Sequence, residues 1–316
     1  MQLTTVLVSY NTRHLLDECL ASLHAAEAGI GGGVCVVVDN ASRDGSAEHL
    51  AEHHPDVDLI RLPDNVGFGR ANNAALPKVH TPYVLLLNTD AFMTPESLRL
   101  SLEHMEAHPR CGVLGARLQS RDGSPQPSAR GFPTPWNVFL LQTGLDRWFP
   151  RTPRIDPPPD WNAELAQECD WVPGCYYLIR KTVIDQVGLF DPLFFLYAEE
   201  VDLCRRVKRA GWQVHYFPGA RVVHLGGESA KSDGNVIRHR QIDALSIESN
   251  LLYFRKHHGR RGLAAHVLLE GLSALVIGIK GWVRHVDSIS VGQGLARWRA
   301  MLGLLRRTRY GTRPTR

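Results

Sequence analysis

Apolar and polar residues alternate along the first third of the chain in a pattern that predicts strands separated by helices. Short apolar runs rich in β-branched residues predict strands at 4–9, 34–38, 59–62, 83–87 and 113–118. Apolar residues also recur at helical spacing, as at Leu15, Leu16, Cys19, Leu20 and Leu23. This alternation predicts a doubly wound α/β sheet with parallel strands.

Polar residues follow two of these predicted strands directly. Asp39 and Asn40 end the run VCVVV, and Asn88, Thr89 and Asp90 follow YVLLL. Ligands of such sheets bind at the carboxyl ends of the strands, so we expect these side chains to face a ligand.

The pattern changes between residues 119 and 160, where nine of the 19 prolines fall. Proline removes a backbone donor, so this stretch predicts a long irregular excursion with neither a helix nor a central strand. Regular structure is predicted again at 176–179 (strand), 181–187 (helix), 199–210 (helix), 213–217 (strand) and 240–257 (helix).

Two segments combine turn residues with an approaching helix. Asp39 begins the segment DNASRDGS. Its carboxylate can accept hydrogen bonds from a ribose or a nucleobase, and the loop leads into a helix N-terminus that suits a phosphate. The alternative is an Asx turn with a helix cap. The segment NVGFGRANN at 65–73 has two glycines that let backbone approach a ligand, or that only meet a need for positive φ. It is neither a GxGxxG nor a Walker motif.

Two further positions are candidate metal ligands. Asp90 is the last residue of the segment NTD at a strand end. Mg²⁺ and Mn²⁺ prefer oxygen ligands and would share a site there with substrate phosphates. The alternative for Asp90 is a helix N-cap. His224 lies in RVVHLGGES, and a structural role is the alternative for it. The following Gly226, Gly227 and Ser229 favour a binding loop.

Three carboxylates follow the aromatic run FFLYA. Glu199, Glu200 and Asp202 begin a predicted helix, where acidic residues complement the dipole. Mutual repulsion and aromatic neighbours can also raise a pKa and prepare one carboxylate as a general base.

Taken together, the order and spacing of these segments resemble family 2 glycosyltransferases, and most closely the bacterial rhamnosyltransferase-like branch. The resemblance covers roughly residues 3–258 and rests on VSYN, VVVDNASRDGS, NVGFGRANN, LLLNTDA, the segment from GCYYLIRK to KRAGW, and VVHLGGES. It implies a GT-A fold, a mixed Rossmann-like sheet flanked by helices with a helical basic C-terminal appendage. It also implies inverting transfer of a sugar from a nucleotide-diphosphate donor to an acceptor hydroxyl.

The resemblance implies a role for each matching residue. Donor-binding roles fall on Ser9, Tyr10, Asp39, Asn65, Gly67, Arg70, Asn88, Trp171 and Gly174. Asp90 and His224 would hold Mg²⁺ or Mn²⁺ at the diphosphate. Glu200 would be the catalytic base, with Glu199 as the alternative base and Asp202 orienting the helix. The family usually has aspartate at position 200, so the glutamate is a departure.

Composition separates the chain into two parts of opposite charge. The net charge is +4, but residues 255–316 carry +11 and residues 1–254 carry −7. We expect a catalytic domain at 1–258, with a proline-rich irregular insertion at 119–169, and an apolar and basic helical tail at 259–316. The six scattered cysteines predict reduced thiols without metal-ligand spacing.

The tail has the composition of an interfacial helix set, with apolar groups in lipid and basic groups on anionic headgroups. Its longest uncharged apolar stretch, 271–279, is too short to span a bilayer, and no secretion signal is visible. Alternatives for the tail are packing on the catalytic domain or a homodimer contact. Few interleaved aromatic residues argue against nucleic-acid binding.

The favoured function is therefore a cytoplasmic enzyme, peripheral on the inner membrane face, that builds a cell-surface polysaccharide or glycolipid. Its donor would be dTDP-rhamnose or a UDP-sugar, and its acceptor a glycan or lipid-linked glycan. Two alternatives stay open: a non-catalytic nucleotide-sugar or lipid-binding protein on the same fold, and a nucleotidyltransferase. A nucleotidyltransferase would need a glycine-rich N-terminal loop with a basic residue for the triphosphate, and the segment VSYNTRHLL lacks one.

Overall fold

Helices and strands alternate along the N-terminal part of the chain as the hydrophobic pattern predicts. The computed structural model describes residues 2–158, 161–226, 235–284 and 291–316, with backbone alone at 235–242, 281–284 and 291. The strands are β1 (Leu3–Ser9), β2 (Val34–Asp39), β3 (Asp58–Arg61), β4 (Tyr83–Asn88), β5 (Ala91–Met93), β6 (Cys111–Gln119), β7 (Gln167–Cys169), β8 (Tyr176–Arg180) and β9 (Gln213–His224). The helices are α1 (Arg13–Ala28), α2 (Ser46–His53), α3 (Phe68–Ala74), α4 (Ser97–Ala107), α5 (Pro135–Thr143), α6 (Lys181–Val187), α7 (Glu199–Arg209), α8 (Asn235–Arg284) and α9 (Val291–Arg307).

The described strands form one mixed sheet in the order β3-β2-β1-β4-β8-β6-β9-β5, with β7 paired to β9. The first four strands in this order are parallel, as predicted. Beyond β4 the sheet is mixed, as the resemblance implies, because β8 runs antiparallel between β4 and β6. β6 and β9 are again parallel to each other, so their carboxyl ends lie at the same edge as that of β4.

The core of this sheet is built by the predicted apolar runs. The α1 residues Leu16, Cys19, Leu20 and Leu23 are fully buried in one cluster with strand residues such as Leu85. Burial of each such side chain contributes about 1.5–3 kcal/mol, which explains why the 3.6-residue pattern locates the helix correctly.

Steric crowding explains why a glycine occupies position 115 in the sheet. A Cβ at Gly115 of β6 would lie 2.4 Å from the Cβ of Val172, so only glycine admits the segment that leads into β8 at this distance.

The expectation that no helix lies in the proline-rich stretch is wrong, because α5 forms there. Pro135 occupies its first turn, where proline has no amide to leave unbonded. The Thr134 hydroxyl accepts from the Asn137 amide (3.1 Å), and the Asn137 side chain accepts from the Thr134 amide (2.7 Å). This reciprocal cap and Gly144 at φ 63° define both helix ends.

The C-terminal helix α8 is longer than the predicted 240–257. It continues past a break at Gly259, where φ is 69°, next to the predicted domain boundary at 258. Within it, Asp243–Lys280 is long and apolar enough to cross a membrane, because an 18-residue window of this segment has a mean hydropathy of 1.8 and is 39% buried. A helix packed inside a protein can have the same length and composition, so the absence of a membrane-spanning segment stays a prediction.

The contacts of the chain divide it into two units. The first contains Met1–Arg130, Pro159–Pro192 and Glu199–Arg238, and the second contains Gly131–Pro158, Leu193–Ala198 and His239–Arg316. The first holds the sheet. The second has its own core, in which α8 packs on α9 through Ile247, Leu251, Leu263, Val267, Met301 and Leu304.

Candidate active site

The carboxyl ends of three neighbouring strands meet at one edge of the sheet. β1 pairs in parallel with β2 and β4, and the register sets Ser9 opposite Asp39 and Val8 opposite Asn88. Predicted site residues from three separate segments therefore lie side by side, where ligands of α/β sheets bind.

Asp39 has one occupied and one available carboxylate oxygen. Its Oδ2 accepts from the Ser42 amide (3.1 Å), which is the predicted Asx turn. Its Oδ1 is buried and has no hydrogen-bond partner among the described residues. Such an atom keeps its full desolvation cost, so it favours a ligand hydroxyl or amide. Ser9 is buried beside Thr12 (Oγ to Oγ1 3.2 Å), and Tyr10 is half-buried.

The Asn40 side chain joins the loops that follow β2 and β3. Its amide donates to Asn65 Oδ1 (3.0 Å), and its own oxygen accepts from the Val66 amide (2.9 Å). Asn65 Oδ1 also accepts from the Gly67 amide (2.9 Å), and Gly67 has φ 87° before α3. Gly67 thus supplies the positive φ that the turn requires. The bonds of Asn40 fix this turn next to Asp39.

The α3 helix is tied to the segment that precedes α7. Arg70 donates twice to the Pro192 carbonyl, from Nε (3.0 Å) and Nη2 (2.7 Å). Asn73 donates to the Phe190 carbonyl (2.7 Å) and accepts from the Phe190 amide (3.1 Å). A contact between Arg70 and the nucleobase stays a prediction, because the guanidinium donates here to the Pro192 carbonyl.

The segment 88–90 lies against the end of β9. Asn88 Oδ1 is buried with no hydrogen-bond partner among the described residues, and Thr89 and Asp90 are buried as well. β5 pairs with β9 so that Ala91 lies opposite His224, which brings His224 Nε2 to 3.6 Å from Asp90 Oδ1. The two candidate metal ligands, 134 positions apart in sequence, are thus neighbours.

Gln126 determines which nitrogen of His224 faces Asp90. The Gln126 amide donates to the His224 carbonyl (2.7 Å) and to Ser120 Oγ (3.1 Å), so its Oε1 is an acceptor. That oxygen lies 2.9 Å from His224 Nδ1, which assigns the proton to Nδ1 and the lone pair to Nε2. Burial lowers the pKa of His224, although the Asp90 charge acts in the opposite direction, and the net effect favours the neutral imidazole.

These residues fit a divalent cation. A nitrogen lone pair and a carboxylate oxygen repel each other, and a cation between them reverses the sign of that interaction. Adjacent ligands of a six-coordinate Mg²⁺ lie about 3 Å apart, so the 3.6 Å between His224 Nε2 and Asp90 Oδ1 would shorten slightly on binding. The unpaired Asn88 oxygen adds a third donor of the type that Mg²⁺ and Mn²⁺ prefer.

A short segment before β8 lies next to both Asn88, the last residue of β4, and α7. The Cys175 carbonyl accepts from the Asn88 amide (3.0 Å). Next to it, a Cβ on Gly174 would lie 3.9 Å from the Glu200 Cβ and 3.7 Å from the Phe68 ring. The predicted donor-side residue Gly174 therefore borders the predicted base.

Trp171 lies three residues upstream of Gly174 and is half-buried. It pairs with Arg130 through two backbone hydrogen bonds of 3.0 Å, and the Arg130 guanidinium lies 5.8 Å from the indole centroid. A sugar contact by Trp171 stays a prediction.

The predicted carboxylates open α7. Glu199 is buried, and its Cβ would contact a Cβ placed on Gly69 at 3.7 Å. Glu200 is only half-buried as a residue, yet burial of its carboxyl raises its pKa above the ordinary value. Tyr197 and Ala198 immediately before them have φ of 72° and 69°, a costly left-handed pair for non-glycine residues.

Asp202 has a structural partner. It is fully buried, and its Oδ2 accepts from Arg206 Nε (2.8 Å). Arg206 also donates to the carbonyls of Val187, Gly188 and Leu189, so the pair joins α7 to the end of α6. The orienting role and a catalytic role of Asp202 both stay predictions.

Gln126 is the site residue that sequence reasoning missed. It lies in the proline-rich stretch, which has no hydrophobic periodicity, and only the fold brings it to His224. Of the predicted binding loop, Gly226 is described with φ 77°, while Gly227 and Ser229 lie outside the described residues.

Comparison with known proteins gives the same class. The family model for glycosyl transferase family 2 matches residues 4–160, and that for glycosyl transferase family group 2 matches residues 83–305. The N-acetylglucosaminyl-diphospho-decaprenol L-rhamnosyltransferase of Mycobacterium tuberculosis is 31% identical over 255 residues, which cover 73% of this chain and 78% of that protein. Rhamnosyltransferase WbbL of Escherichia coli is 26% identical over 195 residues, covering 58% and 70%.

The fold is likewise that of known enzymes. The mannosyltransferase PcManGT of Pyrobaculum calidifontis, solved with GDP-Man and Mn²⁺, aligns over 98% of this chain and 87% of that one. Its TM-score is 0.58 at 14% identity, which shows a shared GT-A fold. The sheet edge and these matches define a sugar-transferring enzyme of GT-A architecture. The chain belongs to family 2 of the glycosyltransferases, in the rhamnosyltransferase-like branch.

Replacing Asp90 should weaken cation binding. We expect Asp90→Asn, which keeps size but removes the charge, to lower Mn²⁺ affinity at least about tenfold in calorimetric titrations with nucleoside diphosphate present. The exposed Asp64→Asn is the matched control and should bind Mn²⁺ like the unaltered chain. Equal affinity in the Asp90 variant would contradict the ligand assignment.

Proposed function

We propose that this glycosyltransferase acts by inversion, transferring rhamnose from a nucleotide-diphosphate donor to an acceptor hydroxyl with the help of a divalent cation. One observation carries the proposal. The buried carboxyl of Glu200, with its raised pKa, borders the Gly174–Cys175 segment that also holds Asn88, beside Asp90 and His224. A base and a diphosphate-side cation pair are what an inverting transfer requires.

The donor would occupy the sheet edge. The available Asp39 oxygen suits a ribose hydroxyl or a base amide, and the loop anchored by Asn40 and Asn65 would border it. The diphosphate would lie toward Asn88, Asp90 and His224. A cation bound there would neutralise charge on the departing diphosphate.

Glu200 would carry the proton transfer. Its carboxylate takes the proton of the acceptor hydroxyl as that oxygen forms a bond to the anomeric carbon. The bond between that carbon and the diphosphate oxygen breaks on the opposite face, and its electron pair leaves with the nucleoside diphosphate. A base with a pKa raised toward neutrality is better matched to this task than an ordinary carboxylate.

The choice of rhamnose rests on the relatives. The names of the mycobacterial and E. coli proteins state rhamnosyl transfer, and the mycobacterial name states a diphospho-decaprenol acceptor. We therefore propose dTDP-rhamnose as donor, with a UDP-sugar as the second candidate. The acceptor would be a glycan or lipid-linked glycan of a cell-surface polysaccharide or glycolipid.

Removing the Glu200 carboxylate should strongly slow transfer. We expect Glu200→Gln to lower kcat by about 10²–10⁴-fold, because the amide cannot accept the hydroxyl proton. Donor affinity, measured by calorimetry, should change little. Transfer would be followed by product chromatography with dTDP-rhamnose and a lipid-diphosphate-linked N-acetylglucosamine acceptor.

Glu200→Asp is the matched control, since it keeps a carboxylate one methylene shorter and should retain measurable turnover. The unaltered chain should lose kcat as pH falls through the raised pKa of Glu200, because protonation removes the base. Turnover of Glu200→Gln equal to that of the unaltered chain would rule out Glu200 as the base.

A lipid-linked acceptor would require the enzyme to work at a membrane, and the second unit has a surface that suits one. Leu268, Leu272, Leu275 and Ile279 repeat at helical spacing on α8 and are 69%, 45%, 46% and 61% exposed. We call these four residues the α8 apolar stripe. Another face of the same helix packs on α9, where Trp298 donates to the Val267 carbonyl (2.8 Å).

Charge complements this stripe. Residues 255–316 carry a net +11, which anionic headgroups would attract at about 1 kcal/mol per basic residue near the surface. We propose that the α8 apolar stripe lies in the membrane interface on the cytoplasmic face, with basic side chains on the headgroups. A second copy of the chain is the alternative partner for the stripe.

Charges in the stripe should release the enzyme from membranes. We expect the unaltered chain to sediment with phosphatidylglycerol vesicles, and Leu268→Asp/Ile279→Asp to lose binding about tenfold or more through lost apolar burial. Leu165→Asp, at an exposed leucine of the first unit, is the control and should bind normally. Unchanged binding of the double variant would contradict the membrane assignment, and a concentration-dependent mass that the double variant loses would assign the stripe to a dimer.

A further inference from the structure

A second group of metal-ligating side chains lies at the edge of the sheet opposite to the candidate active site. Cys111 is the first residue of β6, His215 lies near the start of the parallel strand β9, and His104 is in the last turn of α4. One ligand atom from each lies within 4.8 Å of the other two. Cys111 and His215 are buried and His104 is half-buried.

The separations suit a tetrahedral zinc ion. Zn²⁺ takes nitrogen at about 2.0–2.1 Å and thiolate sulfur at about 2.3 Å, so its ligand atoms lie about 3.3–3.6 Å apart. His104 Nε2 and His215 Nδ1 are 3.0 Å apart, so a shift of a few tenths of an ångström admits the ion. A mixed nitrogen and sulfur set favours Zn²⁺ over the oxygen-preferring Mg²⁺.

Polar groups behind His215 orient it as a ligand. Gln213 donates through Nε2 to Glu168 Oε2 (3.2 Å), so its Oε1 is an acceptor and lies 3.3 Å from His215 Nε2. This places the His215 proton on Nε2 and turns the Nδ1 lone pair toward His104 and Cys111. Metal-ligating histidines almost always have such a support for the second ring nitrogen.

The half-buried side of the group gives an ion a way in. His108 is exposed, its Nδ1 lies 2.8 Å from the His104 carbonyl, and its ring stacks on the His104 ring with centroids 4.0 Å apart. Its Nε2 is therefore free of that backbone contact at the solvent side of the group. A water molecule can complete a fourth position there.

We propose that His104, Cys111 and His215 bind one Zn²⁺ that joins the end of α4 to the starts of β6 and β9. On binding, the Cys111 sulfur bonds to the metal and its proton passes to solvent. The site is separate from the Asp90–His224 pair and does not depend on the proposed transfer reaction. Its role is to stabilise the sheet of the first unit.

Cobalt(II) is the probe that separates this site from the others. Titrated into the metal-free full chain, Co²⁺ should produce a near-ultraviolet thiolate-to-cobalt band with a stoichiometry of one, together with intense tetrahedral visible bands. Zn²⁺ should displace it and raise the midpoint of thermal unfolding. The group of Asp17, His49 and His54, and the Asp90–His224 pair, contain no sulfur and cannot give that band.

Variants assign the ligands. Cys111→Ser should remove the thiolate band, and the milder His104→Gln, at a half-buried position, should weaken Co²⁺ binding about tenfold or more while the chain stays folded. Cys35→Ser, at another buried cysteine, is the matched control and should keep the band. Absence of a thiolate band in the unaltered chain, or its persistence in both Cys111→Ser and His104→Gln, would overturn the proposal.

Discussion

Parallel pairing of β1 with β2 and β4 is the constraint on which the candidate site depends. The register sets Ser9 beside Asp39 and Val8 beside Asn88, so polar residues that follow three apolar strands meet at one edge. β9 reaches the same edge after a longer path and delivers His224 to Asp90 through its pairing with β5. A one-residue slip of any of these strands would turn its side chains to the other face and take the site apart.

The electrostatics of the site follow from burial at that edge. Burial keeps His224 neutral and raises the pKa of Glu200, so the edge holds one imidazole ready to ligate and one carboxylate suited to accept a proton. Gln126 directs the His224 lone pair at Asp90, and the Gly174–Cys175 segment brings Asn88 and Glu200 into one neighbourhood. The fold thus separates the proposed cation position from the proposed base position, as the proposed inverting transfer requires.

The sequence predicted what depends on local pattern and missed what depends on distant pairing. Apolar runs and helical spacing located β1, α1, β2 and β4, because burial of those side chains dominates their stability. The short strand β5 escaped notice because three residues carry no period, although it is the strand that positions His224. Prolines concealed α5, where the Thr134–Asn137 cap was the available signal. Linear spacing gave no hint that Cys111 lies beside His104 and His215, because three different elements supply them.

The central claim is that Asp90 and His224 share one cation at the diphosphate. Electron spin-echo spectroscopy of Mn²⁺ bound to the full chain with nucleoside diphosphate measures this most directly, since a ligating imidazole gives a nitrogen coupling. The account predicts a nitrogen coupling in the unaltered chain and in the control His54→Gln, and its loss in His224→Gln. No nitrogen coupling in the unaltered chain, or the same coupling in His224→Gln, would contradict it.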